Sequence, residues 1–130
     1  MTSDEMKART KAFTVRVAKL VDALPRCLAG QVIGKQLLRS APSVGANYRA
    51  ACRAQSRAEF AAKLSIVLEE SDEALYWLEL VSEIGLIKPE LLTEIIKEAN
   101  ELVAITLASR KTAKLRGRSV NRQSIIENRK

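Results

Sequence analysis

Two acidic pairs, Glu69-Glu70 and Asp72-Glu73, are the densest group of side chains in this 130-residue chain with the chemistry of a site. Paired carboxylates act as general acid and base, or hold a hard cation, when their oxygens converge on one point. Adjacent residues on a helix point in different directions, so these four do not converge. They read as a solvated or partner-facing helix surface. The chain contains no histidine. That removes His-based triads, His general bases and most zinc and di-iron ligand sets. Cys27 and Cys52 lack metal or redox spacing and read as reduced structural thiols. No catalytic residue, metal ligand or cofactor is assigned, and the chain reads as a non-enzyme.

The remaining chemistry belongs to cations. On a nearly continuous second helix, Lys35, Arg39, Arg49 and Arg53 fall on one side, with Arg57 just beyond. The C-terminal stretch RKTAKLRGRSVNRQSIIENRK adds Lys111, Lys114, Arg116, Arg118 and Arg122. Cations in such groups contact the phosphates of RNA or DNA, with an affinity that falls steeply as salt rises. Two plainer readings stand beside this one. The helix-two cations also suit a solvated face that pairs with acids of the third helix, and the tail also suits a solubilising segment without a partner. Aromatics are 4% of the chain, so stacking of single-stranded bases is not expected.

Charge is unevenly distributed along the chain. Residues 1–58 hold 11 basic and 3 acidic side chains, residues 59–109 hold 3 basic and 11 acidic, and residues 110–130 hold 8 basic and one acidic. A body with a basic and an acidic half can pair with itself, which sets orientation more than it adds stability.

Helices must position these residues. Hydrophobic residues make up 47% of the chain, and its eight Gly and Pro are too few for a many-turned β structure. Met6, Thr10, Phe13, Val17, Leu20 and Leu24 form one helical stripe, predicting a helix over residues 4–24 that Ser3 or Asp4 caps and Pro25 stops. A second helix is predicted from Gly30 or Gln31 to about Ala54. Ser56 and Glu59 make a capping box for a third, residues 57–84, which Gly85 ends. Pro89 opens a fourth, residues 89–114. Gly117 ends it, leaving a disordered basic tail. The expectation is all-α: an antiparallel up-down-up-down four-helix bundle over residues 1–116, and a tail over 117–130. No apolar run reaches the roughly 20 residues that span a bilayer, and the N-terminus lacks a signal peptide's apolar centre. A cytoplasmic protein without membrane contact is expected.

Helix three is wider than one bundle requires. Phe60, Leu64, Val67, Ser71, Ala74, Leu78 and Val81 would fill a core alone. Ile66, Trp77, Leu80 and Ile84 make a second strip, with Glu70 and Glu73 on the same side. Such a helix is buried on more than one side. The strip is either covered by helices two and four or forms a subunit interface centred on Trp77. In helix two, Pro42 removes a hydrogen bond and predicts a local kink at residues 38–42. Ala41, Ser43, Gly45, Ala46, Ala50 and Ala51 keep that helix thin, so a neighbour can approach closely.

The stretch QLLRSAPSVGANYRAACRAQSRAEFAAKLSIVLEESDEALYWLEL, Gln36 to Leu80, resembles bacterial four-helix-bundle proteins encoded in intervening sequences of large-subunit ribosomal RNA genes. The matching blocks are RS-P-S-GAN, S-AEF--KL and EES-EA-YWL, and they read as architecture. The resemblance implies a homopentameric, barrel-like assembly. It also implies a likeness in fold to accessory proteins of diversity-generating retroelements, whose basic surfaces contact nucleic acid and a reverse transcriptase.

Two functions follow. The first is a homo-oligomer that binds RNA or DNA non-specifically through basic surfaces. The second is a scaffold that recruits a polymerase-like protein without touching nucleic acid itself. Both need self-association. Light scattering coupled to size exclusion is expected to give a mass several times that of the 14.4 kDa chain, and a monomeric mass would undo the interface reading.

Overall fold

Four helices form in the expected order: α1 (Ser3–Asp22), α2 (Leu28–Cys52), α3 (Arg57–Ile84) and α4 (Pro89–Asn128). The structure, a computed structural model, describes residues 1–128, with side chains described over residues 1–116. α4 runs past its expected end at residue 114 and through Gly117 to Asn128, and the side chains of residues 117–130, Arg118 and Arg122 among them, lie outside those described. Among the described residues there is no strand, and no helix is long and apolar enough to cross a membrane.

Local chemistry sets the helix ends. The cap of α1 is Thr2, one residue before the expected Ser3. Its hydroxyl accepts from the Glu5 N–H at 3.1 Å, and the Glu5 carboxylate accepts from the Thr2 N–H at 3.0 Å. α2 starts two residues earlier than expected, because the Cys27 Sγ accepts from the Gly30 N–H at 3.4 Å. At α3 the Ser56 hydroxyl accepts from the Glu59 N–H at 3.0 Å, while the Glu59 carboxylate reaches the N–H of Gln55 rather than Ser56. Gly85 takes φ 83°, a conformation that strains residues with a Cβ. The Leu86 N–H then donates to the Val81 carbonyl at 3.0 Å, and Leu86 folds onto the core.

The expected stripes make the core. Met6, Thr10, Phe13 and Val17 of α1 are buried, as are Leu64, Val67, Ser71, Ala74, Leu78 and Val81 of α3. α2 runs through Pro42 as one element. The neighbour that meets its thin segment is α1. Ala41 and Val44 are fully buried, the Thr14 hydroxyl donates to the Ala41 carbonyl at 3.0 Å, and a Cβ at Gly45 would lie 3.3 Å from the Thr10 hydroxyl oxygen.

α1 packs on α2, α2 on α3 and α3 on α4, and α1 closes the ring against α4 along the sparsest of the four seams. A polar clamp holds that seam. Arg9 Nε donates to Glu98 at 2.8 Å, and the guanidinium also reaches Glu101. The Arg9 guanidinium holds the Glu98 carboxyl below its usual value of 4.5, against the opposing effect of burial. A depressed carboxyl pKa gives stability that is complete above the unfolded value and lost as pH falls through the folded one. Glu98→Gln is therefore expected to lower stability near neutral pH by about 1–2 kcal/mol. It should also flatten the loss of stability below pH 4.5. Urea denaturation of both proteins over a descending pH series checks this, and an unchanged acid slope would remove the clamp from the account.

Candidate nucleic-acid interface

Antiparallel order gathers at one end of the bundle the start of α1, the finish of α2, the start of α3 and residues 111–116 of α4. Arg49 and Arg53 come from α2 or its cap, Arg57 from α3, and Lys111, Lys114 and Arg116 from α4, all exposed. Three acids share this end, and each is engaged. Glu5 and Glu59 accept cap N–H groups, and Asp4 sits 3.9 Å from Lys7. The opposite end carries Glu79 and Glu83 of α3 and Glu90 and Glu94 of α4. That end also carries Lys19, Arg26, Lys35 and Lys88, so its charges are mixed, whereas cations predominate at the first end. Among the described residues, the ion pairs are Lys7–Asp4, Arg9 with Glu98 and Glu101, and Arg39 with Glu70 and Glu73. Only Lys7–Asp4 lies at the basic end, and none of the pairs involves Arg49, Arg53, Arg57, Lys111, Lys114 or Arg116.

The structure separates two expected phosphate-binding residues from this group. Arg39 sits 3.2 Å from Glu70, also reaches Glu73, and donates to the Gln36 amide oxygen at 3.1 Å. Its cleft is further lined by Glu69 and Asp72, surroundings that repel an anion. Lys35 lies near the start of α2, beside Asp22 and Arg26 at the other end of the bundle.

What the fold does bring together is Arg57 and Arg116. They line one groove of about 450 Å³ with Phe60, Ser109, Thr112 and Ala113. Just above it, Arg110 reaches the Ser65 hydroxyl at 3.5 Å and ties α4 to α3. Burial, with Cys52 beside it, pushes the nearby Tyr48 hydroxyl up to about 12, so the phenol adds no negative charge to this end. Sequence reasoning assigned the two arginines separately and missed the groove, because Phe60 reads there only as a core residue.

The second strip of α3 divides. Trp77 and Leu80 pack against the protomer's own core, and Glu70 and Glu73 pair with Arg39 of α2. Ile66 stays 36% exposed and Ile84 52%. The indole Nε1 of Trp77 is shut off from solvent and meets no acceptor among the described residues. Tyr76 meets the same ring edge-on at 5.2 Å.

A model of the 23S rRNA-intervening sequence protein family matches residues 4–108. The chain belongs to that family. A solved structure of a protein with unknown function, from the S23 ribosomal protein family of Bacteroides thetaiotaomicron, is 37% identical. It aligns with a TM-score of 0.76, over 85% of this chain and 99% of that one. No curated protein matches. The intervening-sequence match takes in Arg49, Arg53, Arg57 and Phe60 and stops short of Lys111, Lys114 and Arg116, so α4's share of the basic end lies beyond it.

The Arg39–Glu73 contact separates a seam within one chain from an interface between copies. A double-mutant cycle of Arg39→Ala and Glu73→Ala is expected to give a coupling of about 0.5–1 kcal/mol that shrinks in salt. It should not change with protein concentration, and a coupling that grows with concentration would place the pair between subunits.

Proposed function

We propose that the protein is a non-enzymatic, homo-oligomeric helical bundle of the cytoplasm that binds RNA or DNA through its basic end without strong sequence preference. One observation carries this reading. Six exposed cations, Arg49, Arg53, Arg57, Lys111, Lys114 and Arg116, share one end of the bundle with no carboxylate paired to them among the described residues. Phosphate contacts made by such a group position a duplex or strand and carry no base information, which is why binding is non-specific. Self-association is supported by exposed Ile66 and Ile84 and by the pentamer that the family resemblance implies. A ring of copies multiplies one modest site into a stronger one.

A second reading, a scaffold that recruits a polymerase-like protein, is favoured by the same two isoleucines, since exposed apolar side chains on a packed helix suit a partner protein as well as a sister chain. Pull-downs unaffected by nuclease would support it.

Filter binding of a duplex RNA across a salt series tests the first reading. If five or six cations touch phosphates, the slope of log affinity against log salt is expected to lie at about −4.5 to −5.5. Negligible binding at low salt would overturn it.

A further inference from the structure

The groove at the basic end continues the slot that α1 fills. Arg9 of α1 clasps Glu98 and Glu101 of α4. α1 begins at Ser3, six residues nearer its start, which is about 9 Å of helix. Antiparallel α4 covers that distance by about residue 107. Glu98, Ile105, Ser109, Thr112 and Arg116 follow one another at spacings of seven, four, three and four, which puts them on one flank of α4. Past residue 107 that flank has no α1 over it, and there the groove opens, with Arg57 and Phe60 of α3 along its other side.

Its lining is chemically uneven. Arg57 and Arg116 stand on different helices, each without a carboxylate partner among the described residues. Thr106, one turn earlier, ties its hydroxyl to the Leu102 carbonyl at 2.7 Å, whereas Ser109 and Thr112 make no hydrogen bond among the described residues. Phe60 is half-buried in the groove wall, while the chain's other phenylalanine, Phe13, is 1% exposed in the core. Two guanidinium groups, free hydroxyls and one open aromatic ring fit an anion attached to a planar, uncharged ring.

We infer that this groove seats one nucleotide of a single strand, its phosphate between Arg57 and Arg116 and its base against Phe60. The inference rests on the nucleic-acid reading above and adds to it a preference for unpaired strands, which revises the expectation from low aromatic content, because one placed ring suffices for one base. A base held in a duplex has no free face to offer a phenyl ring. Stacking on an aromatic side chain tolerates any base, so the preference is for strandedness rather than sequence.

Fluorescence anisotropy at low salt tests it with three probes on the full-length protein: a labelled octamer of deoxyadenosine, an octamer of abasic deoxyribose phosphate, and a short RNA duplex. The adenosine octamer is expected to bind about tenfold tighter than the abasic one. Phe60→Leu should shrink that ratio below about threefold, and Arg57→Gln with Arg116→Gln should weaken both octamers at least fivefold. Equal binding of the two octamers by the unaltered protein overturns the base seat, as does a ratio that survives in Phe60→Leu. Duplex binding with neither octamer bound overturns the groove and leaves the broader function standing. No binding of any probe overturns both. A circular-dichroism melt checks that each variant folds, and if Phe60→Leu does not, the comparison of octamers on the unaltered protein decides.

Discussion

A connection of four or five residues cannot carry a chain back along a helix of 28 residues, which is about 42 Å long. It can only turn the chain round. Three such connections make each helix of this protein antiparallel to the one before it, and that constraint decides which residues meet. It brings the finish of α2, the start of α3 and residues 111–116 of α4 to one place, and so collects cations that lie more than sixty positions apart in the chain. The gathering of cations at that end follows from turn length and helix order, without any single charge pair having to impose it.

Packing supplies the second constraint. α1 meets α2 closely at Ala41, Val44 and Gly45, and the fit of Thr10 and Thr14 there fixes the height of α1 in the bundle. The height of α1 in turn fixes where it stops covering α4. The groove holding Arg57, Phe60 and Arg116 exists because α4 is longer than the helix laid against it. The flank left uncovered is lined with two cations and an aromatic ring.

Helix α3 shows how burial on two sides can be satisfied within one chain and still leave something over. Its width is real: the narrow stripe fills the core, and Trp77 and Leu80 fill space beside it. Arg39 offsets one of the two charges of Glu70 and Glu73, and with Glu69 and Asp72 beside them that flank stays acidic. What is left outside of the second strip is Ile66 and Ile84, with Tyr76 exposed beside it, a smaller apolar surface than the sequence stripe suggests.

Helix existence, order and most boundaries were legible because each rests on short-range chemistry: stripes at helical spacing, Ser56 and Glu59 at a start, Gly85 and Pro89 at a stop and a start. One exception is α4, which continues past Gly117 to Asn128; the other two are local. Thr2 and Cys27 out-compete the expected caps by accepting the first free N–H groups, and a thiol is an uncommon acceptor to look for. The site was legible only in part. Arg49, Arg53, Arg57, Lys111, Lys114 and Arg116 are visible as cations in the chain, but composition cannot say that Arg39 is neutralised across a helix seam or that Lys35 lies at the far end. The amino-acid sequence by itself determined four amphipathic helices, their antiparallel order and a surplus of positive charge, since these depend on spacing within one or two turns. Only the tertiary structure decided which cations stay free, which share an end and that Phe60 opens into a groove, because those outcomes depend on distances between residues far apart in the chain.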